Sequence, residues 1–252
     1  LEAREIELEE SGVQRPTGIA ARGERVLVSE ARQAVLHLVS SESGEVTTLP
    51  GLPGQAPFFD FDGDGWIVTG EGVQGLDGTR LSGFARPDGK ERTLSKIVAA
   101  ARDQLGNWYL VDRDLSGLGA FDRQGRPLTR VGVEGLREII DLVYDRSGRS
   151  WVLDARTSQV VRFGSDLEVE GRFALEARRP VAIDVDPLGQ LYVLDAATST
   201  VAVYRPDGSL RHRLGADLLA AFEPRRLDDL SVDGRGRIFL LENRVPRILV
   251  LE

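Results

Sequence analysis

The sequence predicts an all-β fold: a six-bladed β-propeller of four-stranded antiparallel blades, its ring closed by the N-terminal strand joining the last blade. Three observations carry this reading. Six short runs rich in β-branched, leucine and aromatic residues recur along the 252 residues, each ending in an acid. The intervals between those acids are 41, 41, 42, 41 and 47 residues, the kind of period that marks repeat architectures. Five of the six runs follow a turn of the form Asp-x-x-Gly.

In order, the runs are Val26-Leu-Val-Ser-Glu30, Trp66-Ile-Val-Thr-Gly-Glu71, Trp108-Tyr-Leu-Val-Asp112, Trp151-Val-Leu-Asp154, Leu191-Tyr-Val-Leu-Asp195 and Ile238-Phe-Leu-Leu-Glu242. The turns read Asp62 to Gly65, Asp103 to Gly106, Asp145 to Gly148, Asp186 to Gly189 and Asp233 to Gly236, and the first copy keeps only Arg22-Gly23. In such a turn the carboxylate accepts backbone N–H groups ahead of it, and Gly takes the positive φ that closes the loop. A third strand follows each run, then usually a second Gly turn, as in Pro87-Asp-Gly89, Gln124-Gly125 and Pro206-Asp-Gly208. Each copy is therefore a four-stranded meander. The blades cover about 16–50, 57–94, 97–131, 139–173, 181–214 and 227–252, the last completed by 4–9, in a single domain over 1–252.

The second strands are apolar throughout instead of alternating, so both of their faces need cover, which stacked blades supply. The sixth copy has only three strands of its own. The segment Arg4-Glu-Ile-Glu-Leu-Glu9 suits the missing fourth, because Ile6 and Leu8 alternate with Glu5, Glu7 and Glu9 as on a strand with one wet face. Pairing it with the last blade removes an exposed edge. Asp217–Phe222, in the long last interval, is the one helical candidate.

The stretch Pro180-Val-Ala-Ile-Asp-Val-Asp-Pro-Leu-Gly-Gln-Leu-Tyr-Val-Leu-Asp195, followed by Thr200-Val-Ala-Val-Tyr-Arg-Pro-Asp-Gly208, resembles an NHL repeat. Copies four and six are fair matches and copies one to three weaker ones. The resemblance spans nearly the whole chain and implies the propeller fold. It is silent on activity, since NHL-type propellers include interaction scaffolds, extracellular sensors, RNA binders and a few lyases.

Composition narrows the classes. Apolar residues make up 41% and charged ones 29%, ordinary for a globular protein and too apolar for disorder. No apolar run is long enough for a membrane-spanning helix. Thirty-two basic against forty acidic side chains give −8, which argues against nucleic acid as a partner. Cysteine is absent, excluding disulfides, thiolate metal sites and cysteine nucleophiles. Methionine is absent too, so Leu1 is expected to begin a processed or excised piece of a larger protein. Of the basic residues only Lys90 and Lys96 are lysine, an arginine bias that suggests a GC-rich bacterial genome. The compartment stays open, an extracytoplasmic one being favoured.

Two motifs bear on chemistry. Asp60-Phe-Asp62-Gly-Asp64-Gly65, with Glu71 in the twelfth place, matches the EF-hand calcium expression. Residues 66–70 read as a strand, however, carrying Glu71 about 15 Å from Asp64 and out of reach of a shared ion. The reading is therefore another hairpin turn, with no metal and no cofactor; Asp60, Asp62 and Asp64 are the secondary metal candidates. His37 and His212 fall on third and fourth strands, away from a central site, and no base is placed beside a serine. Of the two asparagines, Asn107 and Asn243, Asn107 belongs to a turn at the opposite end, so the Glu, Asn, Asn and Asp set of gluconolactonase-like propellers is not available. No catalytic residue is assigned. Trp66, Trp108 and Trp151 all begin second strands and are expected to fill seams between blades.

A meander places the ends of second strands and the connections between blades on one face, the top. There the acids Glu30, Glu71, Asp112, Asp154, Asp195 and Glu242 meet the bases Arg15, Lys96, Arg137, Arg179 and Arg226, which precede the first strands. Two uses are open: acids that pin loops and pair with their basic neighbours, or a polar rim that docks a ligand. The loop Gly70–Arg80, with four glycines, is expected to add residues to this face. The expected function is non-catalytic recognition or scaffolding by a monomeric propeller, taking a protein, peptide or small polar ligand on the top. The alternative is a lyase or lactonase with a metal at the channel mouth.

Overall fold

The Asp-x-x-Gly turns close hairpins between the first and second strands. In the computed structural model, which describes residues 2–30, 32–85, 93–113, 117–132 and 135–252, Asp103 accepts the N–H groups of Leu105 and Asn107, both at 2.8 Å. Asp145, Asp186 and Asp233 each take the N–H groups two and four residues ahead in the same way. The side chain six residues on completes the cluster: Trp151 Nε1 donates to Asp145, and the Tyr109 and Tyr192 hydroxyls donate to Asp103 and Asp186. This last bond corrects the second copy. Its turn runs from Asp60 to Gly63, not from Asp62 to Gly65, because Trp66 Nε1 reaches Asp60 at 3.0 Å and Gly63 holds the positive φ of 92°. Pro87-Asp-Gly89 lies outside the described residues.

The chain runs β1 (Ala3–Glu7), then β2 (Gly18–Arg22), β3 (Arg25–Glu30), β4 (Val35–Ser40) and β5 (Val46–Pro50) as the first blade. The second is β6 (Ala56–Phe59), β7 (Gly65–Thr69), β8 (Gly72–Gly75) and β9 (Arg80–Ser82); the third is β10 (Ile97–Arg102), β11 (Trp108–Asp112), β12 (Gly117–Phe121) and β13 (Pro127–Gly132). The fourth comprises β14 (Ile139–Tyr144), β15 (Ser150–Asp154), β16 (Gln159–Phe163) and β17 (Val169–Ala174). The fifth comprises β18 (Pro180–Val185), β19 (Leu191–Asp195), β20 (Thr200–Tyr204) and β21 (Leu210–Leu214). After the short helix α1 (Ala216–Leu219) and a 3-10 turn over Ala220–Phe222 come β22 (Leu227–Val232), β23 (Ile238–Glu242) and β24 (Arg247–Leu251). β1 pairs antiparallel with β24, from Ala3 opposite Leu251 to Glu7 opposite Arg247. The fold is thus an all-β, six-bladed propeller of four-stranded antiparallel sheets whose last blade is completed by the N-terminal strand.

The chain divides into two units, Leu1–Pro57 with Glu176–Glu252, and Phe58–Leu175. The first holds blades five, six and one. There β23 shows why second strands are apolar on both sides. Ile238 and Leu240 pack with Tyr192, Leu194, Val201 and Val203 of blade five. Phe239 and Leu241 pack with Val26, Val28 and Val39 of blade one, joined by Ile6 and Leu8. The second unit holds blades two, three and four. Tyr109, Val111 and Leu118 pack there against Leu142, Val152 and Phe163. Trp66 meets Trp108 edge to face at 4.8 Å, and the Arg102 guanidinium lies over both rings. All three tryptophans are buried.

The Gly70–Arg80 segment differs from expectation. Its Gly72–Gly75 stretch is strand β8, tied to β7 by a tight turn at Gly70 and Glu71 and to β9 by the connection over 76–79. A Cβ on Gly72 would collide with the Leu81 carbonyl, and one on Gly75 would meet the Trp66 ring. These glycines permit close strand packing; they do not make a flexible insertion.

Candidate functional site

Five of the six run-ending acids point inward. In the first unit, Glu30 Oε1 accepts the backbone N–H groups of Gln14 and Arg15 at 3.2 and 2.8 Å. Asp195 accepts those of Arg178 and Arg179 at 2.9 and 3.0 Å. Glu242 Oε1 takes those of Arg225 and Arg226, while its Oε2 meets the Arg247 guanidinium at 2.9 Å. Arg247 also reaches Glu5 of β1, and the two carboxylates together outweigh burial in raising its pKa. In the second unit, Asp112 accepts from Ser95 and Lys96, and Asp154 from Arg137, Glu138, Arg156 and Thr157.

These carboxylates are essentially out of solvent: Glu30 is 1%, Asp154 0% and Glu242 0% exposed. Burial alone would raise the pKa values of Asp154 and Asp195. At Asp154 and Asp195 the converging N–H donors outweigh it and hold the carboxyls below the usual range. The connections before the first strands are therefore clamped by buried acids. At Glu30, Asp154, Asp195 and Glu242 the bond goes to the backbone of the basic neighbour, in place of the ion pair expected between the side chains. Arg15, Lys96, Arg137, Arg179 and Arg226 are all exposed, and Arg226 turns to Asp228 at 2.6 Å. Glu71, alone among the six acids, is exposed in its turn.

His37, which its strand position suggests lies away from the site, joins this set through Glu30. His37, in β4, is buried with Nε2 3.4 Å from Glu30 Oε2 and Nδ1 3.0 Å from the exposed Thr48 hydroxyl. The contact is diagonal across strands, which linear spacing does not reveal. A second missed cluster lines the neighbouring first strands of the same unit. Asp184 accepts the N–H groups of Val185 and Val232 and the Ser231 hydroxyl. The Ser231 oxygen in turn accepts the Ala21 N–H, and Asp229 accepts that of Ile19. First strands have one edge without a sheet partner, and these side chains supply acceptors for it. Desolvation pushes the Asp184 carboxyl up to about 6 against those donors.

The Asp60 loop is filled by protein donors. Oδ1 accepts Gly63 and Asp64 N–H, and Oδ2 holds Trp66 Nε1 and Arg102 Nη1 at 3.0 and 2.9 Å. Asp62 and Asp64 point to solvent, and β7 separates them from Glu71. Among the described residues no three His, Asp or Glu side chains gather as a metal-binding group. No helix there is long and apolar enough to cross a membrane.

No protein-family model and no curated protein matches the chain. Solved structures do. A gluconolactonase of Xanthomonas campestris is similar at a TM-score of 0.73 and 16% identity, over 95% of this chain and 87% of that one. Virginiamycin B lyase from Staphylococcus aureus is similar at 0.72 and 11% identity, over 99% and 98%. The WD40 propeller domain of Doa1 is similar at 0.68 and 9% identity, over 95% and 93%. Two enzymes and a WD40 domain share this architecture with the chain, and at such identities the likeness carries the propeller fold alone.

Proposed function

We propose that this chain is a non-catalytic recognition propeller, a single NHL-like domain over 1–252 that docks a protein or peptide where the second strands end. One observation carries it. The acids that could have formed a reactive or metal-binding rim are buried clamps, so the groups offered to a ligand are the exposed side chains on immobilised connections. The Doa1 WD40 domain, a propeller of similar shape, supports the class by analogy. Arg15, Lys96, Arg137, Arg179, Arg226 and Glu71 make the contacts in this reading. Glu30, Asp112, Asp154, Asp195 and Glu242 hold those contacts in place.

The rival is the lyase or lactonase type, favoured by the fold likeness to virginiamycin B lyase and gluconolactonase. The two separate in a turnover screen with lactones, simple esters and a streptogramin B antibiotic, run with and without added divalent metals. The recognition reading expects no turnover under any condition. Metal-dependent turnover abolished by Asp195→Asn in a folded protein would transfer the site to catalysis.

A further inference from the structure

Within the unit formed by blades five, six and one, the three connections leading into β18, β22 and β2 present a row of arginines. The first strands sit side by side in register, as the bonds from Val232 to Asp184 and from Ile19 to Asp229 require. The residues one and two positions ahead of β18 and β22, and three and four ahead of β2, therefore lie at one end, each pair held by the acid that ends the next strand. Those residues are Arg178 and Arg179, Arg225 and Arg226, and Gln14 and Arg15; all six are exposed. Their backbone N–H groups are held by Asp195, Glu242 and Glu30, which are buried and unavailable to a ligand. Asn243 Nδ2 further ties this end together by donating to the Pro16 carbonyl. Arg15, Arg178, Arg179 and Arg225 have no side-chain partner among the described residues, and Arg226 has Asp228. Acidic residues do occur nearby, but on the adjoining outer segments: Glu9, Glu10, Asp217 and Glu223 are exposed there.

Resting on the recognition reading above, we infer that this arginine row is a binding site for a short acidic peptide segment of a partner protein. A guanidinium pairs with a carboxylate through two parallel N–H···O bonds, and five of them on a clamped backbone can engage successive Asp or Glu side chains. A chain of −8 would repel such a partner elsewhere, which confines docking to this row and sets orientation. Single-stranded nucleic acid carries negative charge as well, but stacking sites need exposed aromatics. At this end of the unit no described large apolar side chain is exposed. The flanking acids also suit a short ligand better than a long polyanion.

The test uses fluorescence anisotropy with labelled deca-glutamate and, separately, labelled decauridylate. Deca-glutamate should bind at about 50 mM salt and weaken as salt rises, since exposed charge pairs are screened. The triple reversal Arg15→Glu, Arg179→Glu, Arg226→Glu should weaken it by at least about tenfold. The reversal Arg146→Glu, Arg156→Glu, at exposed positions on the other unit, should change it by less than about twofold. Circular dichroism and melting check that each variant is folded, and the glutamine series at the same three positions gives an intermediate loss if charge is the cause. Absence of peptide binding at low salt overturns the inference. So does a loss seen only with the Arg146 and Arg156 reversals, although that outcome leaves the broader recognition reading standing. Tighter binding of decauridylate would reassign the row to nucleic acid, and enzymatic turnover would remove the recognition reading itself.

Discussion

Asp184 and Asp154 are both carboxylates that accept several N–H bonds, yet their pKa values move in opposite directions. At Asp184 desolvation outweighs three donors and pushes the value from 3.8 up to about 6. The folded state therefore binds the proton more tightly than the unfolded chain. That contribution to stability is fully present below about pH 4 and is lost as pH rises through about 6, with an upper limit of about 3 kcal/mol. Asp184→Asn should flatten the difference: melting temperatures compared between pH 4 and 7 should show the parent gaining on the variant as pH falls. Equal pH profiles would contradict it. Asp154, held below the ordinary range by four backbone donors, has the opposite sign: its contribution is present above the unfolded value and lost on acidification. Asp154→Ala should lower unfolding free energy by about 2–4 kcal/mol, because backbone N–H groups lose their acceptor. Glu71→Ala, at an exposed position, should change it by less than about 0.5 kcal/mol. Urea melts of the two variants distinguish clamp from surface acid.

At the scale of an element, the β6–β7 turn separates two meanings of one acidic sequence. Asp60 has its oxygens filled by two backbone N–H groups, an indole and a guanidinium, and β7 leaves the turn as extended chain. An ion would have to displace Arg102 from its place over Trp66 and Trp108. Millimolar calcium should accordingly move the melting temperature by less than about one degree, since only a ligand bound by the native state raises it. A rise of several degrees would show that Asp60, Asp62 and Asp64 do form an ion site. The same comparison explains why the sequence alone points to a turn two residues late. Both Asp60 to Gly63 and Asp62 to Gly65 satisfy Asp-x-x-Gly, and the aromatic six residues after the Asp is what discriminates.

At the scale of the whole molecule, the first strand of the chain and the last share one sheet. β1 closes the edge of β24, places Ile6 and Leu8 in the seam between blades six and one, and adds the Arg4–Glu252 and Glu5–Arg247 pairs. The two exposed or half-exposed pairs add little. The two aliphatic side chains contribute roughly 1.5–3 kcal/mol each on burial. Deleting residues 2–9 should therefore lower the melting temperature by about 10 °C or more. A truncated protein melting within two degrees or so of the parent would show that β24 does not need its partner.

The repeat, the number of blades, the strand that completes the last one and the place of the short helix near Asp217 are all legible in the order of residues. These follow from local chemistry: Asp-x-x-Gly closes a turn wherever it occurs, and a strand apolar on both faces requires two neighbours. That order also places acids at the ends of second strands and bases ahead of first strands. What those charges do is set by packing in three dimensions. Glu30, Asp112, Asp154, Asp195 and Glu242 bind backbone N–H groups some sixteen residues upstream, and nothing in linear spacing tells a carboxylate turned inward from one turned to solvent. The diagonal contact of His37 with Glu30, the Asp184–Ser231 chain between blades and the packing role of Gly72 were hidden for the same reason. Each depends on which atoms two separate strands bring within 3.5 Å, a distance set by packing and not by the order of residues.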